Sequence, residues 1–396
     1  MYKILTLNNI SVAGLDRLPR NQYEVASEMS HPDAILLRSY KMHDMEVPAS
    51  VKAIGRAGAG VNNIPVEKMT TLGIPVFNAP GANANAVKEL VLAGALLAAR
   101  NLGQAWRFAT GLEGDDASIS KNVESGKKNF VGFELPGRTM GVIGLGAIGV
   151  KVANACRALG MKVIGYDPTI TVQSAWKLAS DVQQALSVDD LLSKSDFVTF
   201  HVPLTEATTH MINADRLKLM KRGAVLLNFA RNGIVDDAAA VAALDSGQLY
   251  AYVCDFPSNL LKNHPRVITL PHLGASTVEA EENCAIMVAD EVRDYLENGN
   301  ISHSVNFPDI NLPRNGGYRI AVVNSNVPNM VGQISSDLGK ENVNILDMLN
   351  RSRENIAMTL LDVATEPSET LLGNLKNIKG VLSVRCLGCN QAQKAD

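Results

Sequence analysis

The chain has no apolar run of about 18 residues, and its opening, MYKILTLNNI, lacks the charged-then-apolar build of a secretory signal. Neither a membrane span nor export is therefore expected. Cysteine is scarce: five residues, odd in number and scattered, do not make a disulfide framework and point to a reducing compartment, the cytoplasm. An excess of one charge is lacking as well. Lys plus Arg number 37 against 40 for Asp plus Glu, a net charge of −3, which excludes a dominant nucleic-acid or anionic-membrane surface. A local anion site stays open. No internal repeat of roughly 20 to 50 residues is present, which excludes a solenoid or propeller.

What is present is apolar material. The 396 residues are 46% hydrophobic and 19% charged, enough for sizeable cores in two or three domains and too little charge for disorder. Short apolar runs at Tyr2–Leu7, Ala34–Leu37, Ala53–Gly55 and Ile74–Phe77 alternate with room for helical crossovers, as in a parallel sheet. A small-residue helix is expected from Ala84 to Asn101, then a polar, glycine-bearing loop or frayed helix from Gly111 to Phe133.

Six more strands follow in a second series: Thr139–Ile143, Lys162–Tyr166, Phe197–Phe200, Ala224–Asn228, Ala251–Cys254 and Val267–Leu270. A helix from Val278 to Glu297 ends at Asn298-Gly299-Asn300, a C-cap signal. Pro308 to Gly317 reads as a linker. Beyond it the order is strand, helix, strand, strand, helix, strand, starting at Tyr318 and ending at Leu387. The expected fold is α/β: two doubly wound parallel-sheet (Rossmann/flavodoxin-like) domains plus a C-terminal ferredoxin-like βαββαβ module.

The chemistry starts at Gly144-Leu145-Gly146-Ala147-Ile148-Gly149, a GxGxxG that follows a strand and opens a helix. Gly144 permits the tight turn, Gly146 lets the backbone approach a pyrophosphate, and Gly149 lets helix and strand pack closely. The next strand runs into Asp167, placed to accept hydrogen bonds from ribose hydroxyls and to repel a 2′-phosphate. NAD is thus favoured over NADP as cofactor.

Ligands in such sheets sit at the carboxyl ends of the strands. Those ends carry His201-Val202-Pro203, Phe229-Ala230-Arg231, Asp255 and Pro271-His272. Hydride transfer from a 2-hydroxy acid needs a base for the hydroxyl proton and a fixed cation for the carboxylate. His272 and Arg231 suit those tasks. Arg38 and Arg56 end strands of the first block, the latter beside Gly58-Ala59-Gly60. They exceed what one carboxylate needs and imply a second anionic group such as a phosphate; ordinary salt bridges are the alternative.

These residues resemble the D-isomer-specific 2-hydroxyacid dehydrogenases, and most closely the branch acting on 3-phospho-D-glycerate. The matching stretches are AILLRS, GRAGAGVNNI, VFNAPGANANAVKELVLA, GVIGLGAIG, YDP, HVPLT, LLNFARNGIVD and LPHLGAST. The resemblance implies Arg231 and His272 as catalytic residues. It implies a cofactor site of Gly144, Gly146, Ala147, Ile148, Gly149, Asp167, His201, Val202, Pro203, Phe229, Ala230, Arg231, Asp255, His272 and Gly274. The substrate's phosphate and carboxylate fall to Arg38, Ser39, Arg56, Gly58 and Asn78. The implied reaction is NAD-dependent oxidation to 3-phosphohydroxypyruvate, at the entry to L-serine synthesis, with the two domains closing to exclude water.

Two departures stand out. Asn232 follows Arg231 where the family commonly has Gly, so the turn falls to Gly233. The family's glutamate, which pairs with the histidine, is absent from Asp255-Phe256-Pro257-Ser258-Asn259-Leu260; Asn259 is the nearest counterpart. An amide can orient an imidazole but not support its charge. Asp255 and Glu279 are the carboxylates left to compensate. Other 2-hydroxy acids (glycerate, glyoxylate, 2-oxoglutarate) and a non-catalytic NAD sensor are the rival readings.

The C-terminal module resembles an ACT domain, which in this family binds L-serine between paired modules. Asn326 and Asn344 match its asparagines, Asn324 stands where histidine is frequent, and Asn329 where glycine is usual. Paired modules and the family's habits imply a homodimer or homotetramer. The implied domains are 1–100 for substrate, completed by 283–307; 101–282 for NAD; linker 308–317; and 318–390 for regulation. No metal is expected, Cys386 and Cys389 lacking any His or second pair. Trp106 and Trp176 read as packing residues, and His264 as a surface loop residue.

Overall fold

In the computed structural model, residues 1–388 are described. The chain divides into two compact units, the first made of Met1–Ala82 with the chain from Glu281 onward, the second of Asn83–Ala280.

The first unit opens with β1 (Tyr2–Leu7), β2 (Tyr23–Ala26), β3 (Ala34–Leu37), β4 (Ala53–Arg56) and β5 (Val76–Asn78). They form a parallel sheet in the order β2-β1-β3-β4-β5, the flavodoxin-like arrangement. All four side chains of β3 are buried, as the unbroken apolar run AILL requires of a strand covered on both faces.

The second unit holds β6 (Thr139–Ile143), β7 (Lys162–Tyr166), β8 (Gln183–Gln184), β9 (Phe197–Phe200), β10 (Ala224–Asn228), β11 (Leu249–Cys254) and β12 (Val267–Thr269). Their order is β12-β11-β10-β9-β6-β7-β8, again parallel. The order reverses between β6 and β9, so the glycine-rich turn after β6 lies at the topological switch point. Helix Ala84–Ala99 packs on this sheet: a Cβ on Gly94 would lie 2.8 Å from the Phe229 ring. It belongs to the second unit, so the division falls after Ala82 rather than after residue 100.

Helix Val278–Asn298 leads back into the first unit, which continues with β13 (Tyr318–Ser325), β14 (Ile345–Arg353), β15 (Ile356–Val363) and β16 (Val381–Leu387). These four strands are antiparallel, ordered β14-β15-β13-β16, with helices Met330–Lys340 and Glu369–Asn377 completing βαββαβ.

Residues 308–317, expected as a linker, are built into the first unit. Ile310 and Leu312 are buried, and Ile310 bridges Ile301. Ala321, Val323, Met358 and Leu360 of the antiparallel sheet share one core with Val288, Val292 and Leu296 of helix Val278–Asn298. Arg319, fully buried, ties the parts together. Its Nε and Nη2 donate to Asp362 at 2.7 Å each, and its other N–H groups reach the carbonyls of Asn298, Leu312 and Pro313.

The polar stretch 111–133 contains a helix, Asp116–Gly126, whose N-cap Asp115 accepts from Ser118 N at 2.9 Å. Trp106 and Trp176 correct an expectation, since they are 68% and 85% exposed. Both sit on helices that bury none of their residues. His264 lies in a loop, as expected, but is half-buried and bonded, with Nε2 at 3.2 Å from Asp245 and Nδ1 accepting from Arg266 N. Cys389, the second cysteine of the CxxC pair, lies outside the described residues. No helix among the described residues is long and apolar enough to cross a membrane.

Candidate active site

The glycine-rich turn has the geometry its sequence asks for. Gly144 has φ +90°, and a Cβ there would lie 2.5 Å from His201 O. A Cβ on Gly149 would sit 1.9 Å from Gly144 O, so only glycine lets helix Ala147–Ala158 approach the turn. Gly146 instead faces open space, with nothing within 4 Å of its Cβ position. That is the site at which a phosphate can meet free N–H groups at a helix N-terminus.

Asp167 follows β7. Its Oδ2 accepts from Leu145 N at 2.8 Å, and its Oδ1 from Thr169 N and Oγ1, which fixes the carboxylate against the turn. With it, Leu145, Gly165, Ile170, Leu178, Val182, Gln183 and Gln184 line a cavity of about 210 Å³. A flat base fits between the apolar walls, and Asp167 is part of the lining.

After β9, burial pushes the His201 imidazole down to about 3, so it is neutral at pH 7. Its Nε2 lies 3.2 Å from Thr199 Oγ1, while Nδ1 is buried without a partner. After β10, Asn228 organises the loop: its Nδ2 donates to Arg231 O at 3.0 Å and its Oδ1 accepts from Ala230 N. Arg231 itself is exposed, donates Nη1 to Ala230 O at 2.7 Å, and has no carboxylate at ion-pair distance among the described residues. Asn232 keeps the turn because Gly233 supplies the positive φ, +87°.

After β11 comes Asp255, 1% exposed, with neither carboxylate oxygen hydrogen-bonded. Burial pushes its carboxyl up, and the imidazole of His272 pulls it partly back. His272, after β12, is exposed and left-handed at φ +51°. Its N–H donates to Asp255 O at 3.1 Å, and its ring meets Phe256 edge-on with centroids 5.1 Å apart. A non-glycine residue held in that backbone region is a mark of an over-determined site.

Arg231, Asp255 and His272 therefore follow three adjacent strands, β10, β11 and β12. Asn259 does not join them. It is exposed in a turn, and no side-chain hydrogen bond ties it to His272. Glu279 is likewise exposed at a helix start. Asp255 is the buried carboxylate on which His272 acts electrostatically.

In the first unit, Arg38, Arg56 and Asn78 occupy the carboxyl ends of β3, β4 and β5, again three neighbours. Arg56 Nε donates to Arg38 O at 3.0 Å, and Asn78 Nδ2 to Ala59 O at 2.5 Å. Gly58 leaves room for the Arg56 guanidinium: a Cβ there would lie 1.8 Å from Arg56 Nη1 and would push that side chain aside. Ser39 is exposed beside Arg38. Arg38 pairs with Glu281 at 2.6 Å, so for this arginine the ordinary salt bridge is present. Glu281 was not foreseen, because on sequence it is one of several acids at the head of a helix. Asn228 was read only as a strand residue, although its Asn at the start of a glycine-containing turn is a loop-ordering signal.

In the C-terminal module, Asn324 is 1% exposed with Oδ1 unpaired, and Asn326 Nδ2 donates to Glu354 O at 2.9 Å. Asn344 precedes β14, at the end of the sheet where Ile345 and Tyr318 both pair with Val363. The other two asparagines are at the opposite end of β13, about 25 Å away along an eight-residue strand. One module does not bring the three together.

Residues 95–274 match the family described as D-isomer specific 2-hydroxyacid dehydrogenase, NAD binding domain. The chain is 38% identical over 296 residues to the D-3-phosphoglycerate dehydrogenase of Methanocaldococcus jannaschii, covering 72% of this chain but only 54% of that protein. Its likeness to the Haemophilus influenzae D-3-phosphoglycerate dehydrogenase is 32% over 355 residues, covering 87% and 83%. Among solved structures, the NAD+-bound 3-phosphoglycerate dehydrogenase of Entamoeba histolytica superposes with a TM-score of 0.60 at 25% identity, covering 77% of this chain and 98% of the other.

Proposed function

The chain belongs to the D-isomer-specific 2-hydroxyacid dehydrogenase family, and on that premise we propose that it oxidises 3-phospho-D-glycerate to 3-phosphohydroxypyruvate with NAD, at the entry to L-serine synthesis. The observation that carries the reading is the set of Arg231, Asp255 and His272 at the ends of three adjacent strands. NAD, when bound, accepts the hydride from the alcohol carbon.

The chain's own residues do the rest. The turn Gly144–Gly149 offers N–H groups to the pyrophosphate, and Asp167 holds the ribose hydroxyls and disfavours a 2′-phosphate. Asp255, buried and unpaired, offers its carboxyl to the nicotinamide side. Arg231, with no competing carboxylate among the described residues, binds the substrate carboxylate and polarises the forming carbonyl. His272 takes the hydroxyl proton, leaving carbonyl, reduced cofactor and imidazolium in balance. Arg38, Arg56 and Asn78, with Ser39 and Gly58 shaping the turn, bind the phosphate.

The C-terminal module is read as the effector site for L-serine, with Asn324 and Asn326 of one copy facing Asn344 of another. That separation supports a homodimer or homotetramer. Cys156, Cys254 and Cys284 are buried free thiols, in keeping with the cytoplasm. A second reading, an unphosphorylated 2-hydroxy acid, is favoured by the Arg38–Glu281 pair, which already occupies one arginine. The test is NADH oxidation by 3-phosphohydroxypyruvate with and without L-serine. Turnover that L-serine suppresses supports both parts, and NADH binding without turnover on any 2-oxo acid contradicts the enzymatic reading.

A further inference from the structure

A cavity of about 490 Å³ lies within the first unit, and none of the residues assigned above lines it; Lys52 and Ile74 precede β4 and β5, whose other ends carry Arg56 and Asn78. Its walls are the loop Ala49–Lys52, the turn Leu72–Ile74, Tyr295, Lys376 and β16 from Val381 to Arg385. Three cations line it, Lys52, Lys376 and Arg385, and no Asp or Glu does. We propose that this cavity binds the phosphate group of a small metabolite, as a site separate from the dehydrogenase site.

The cations differ in how firmly they are held. Arg385 is pre-organised: its guanidinium stacks 4.2 Å over the Tyr295 ring, and Nη2 donates to Tyr295 O at 3.1 Å. Among the described residues no carboxylate pairs with it at ion-pair distance, so a residue that lines the cavity keeps donors without a competing anion. Lys52 pairs with Asp33, which lies outside the lining. Lys376 is exposed on helix Glu369–Asn377 and has no ion pair among the described residues.

The backbone adds donors. β16 is the edge strand of its sheet, so one row of its N–H and C=O groups has no strand partner. Ser383, midway along it, is half-buried at the cavity wall. A dianionic phosphate satisfies two or three fixed cations and a hydroxyl at once, whereas an apolar ligand would strand them. The volume matches small-metabolite pockets. Occupancy would cross-link β16 and helix Glu369–Asn377 to the loops of the first sheet, so ligand binding stiffens this unit.

The experiment is calorimetric titration of the full chain with inorganic phosphate. With NAD saturating the glycine-rich turn, the Arg38→Ala/Arg56→Ala protein lacks the phosphate site assigned to the substrate, and one phosphate per chain is then expected to remain. Adding Lys376→Glu to that background should weaken the remaining site by at least about tenfold, a loss of one charged partner. Lys376→Glu alone should leave turnover of the dehydrogenase unchanged, because Lys376 touches none of its machinery. Ser383→Asp, which places a carboxylate in the cavity, should act as Lys376→Glu does. The proposal is overturned if the Arg38→Ala/Arg56→Ala protein binds no phosphate, or if neither further change weakens what it binds.

Discussion

Arg231 is valuable to this site for what it does not touch. Among the described residues its guanidinium bonds to the neighbouring carbonyl of Ala230 and pairs with no carboxylate, so it keeps its fork for a substrate carboxylate. Lysine is a point charge without that fork. Arg231→Lys should therefore lower kcat/KM by about 10²-fold or more, close to Arg231→Ala, in steady-state NADH kinetics. Asp167 presents the opposite charge at the cavity beside the glycine turn. Asp167→Ser removes the repulsion of a 2′-phosphate, and the NADPH-to-NADH ratio of kcat/KM should rise at least about tenfold. Asn259, although the nearest counterpart of the family's glutamate in sequence, is exposed and unbonded to His272. Asn259→Ala should accordingly leave kcat/KM within about twofold, as for a surface position.

At the scale of elements, the parallel strands were legible because each is an apolar run bounded by turn residues. Those that were not are edges: β2 and β8 end their sheets, and β8 is two exposed glutamines with no apolar signature. Helix Asp116–Gly126 was hidden by its polarity, though its Asp115 cap is written in the sequence. The glycine turn was read residue by residue, since Gly144 and Gly149 answer to steric needs and Gly146 leaves the open space a ligand requires. Helix Val278–Asn298 carries a feature no pattern announces. Glu291 on it is buried; its Oε1 lies 2.8 Å from His303 Nδ1 and its Oε2 has no partner. Burial, reinforced by Asp290 and Asp309, pushes its carboxyl up to about 9 from 4.5. The folded chain then keeps a proton that the unfolded chain releases. This stabilisation is full below the unfolded value near 4.5 and is lost as pH rises through about 9. Melting temperatures measured from pH 5 to 9 should fall in the wild type, and the fall should be shallower in Glu291→Gln.

At the scale of the molecule, two parallel sheets and a βαββαβ module were evident from the alternation of periods. That the module shares a core with helix Val278–Asn298 was not, because the residues involved are separated in the chain and their apolar pattern names no partner. Arg319 shows the limit most clearly. It reads as one charge in a strand, and only the fold reveals that all its donors are used in the interior. Arg319→Ala leaves Asp362 buried and unpaired, and should cost about 3–5 kcal/mol in denaturant unfolding. The arginines at the ends of β3 and β4 carry the substrate assignment, and one comparison tests it most directly: kcat/KM with NADH for 3-phosphohydroxypyruvate against hydroxypyruvate. A preference of about 100-fold or more for the phosphorylated substrate is predicted. Equal rates, or a preference for hydroxypyruvate, would contradict the account.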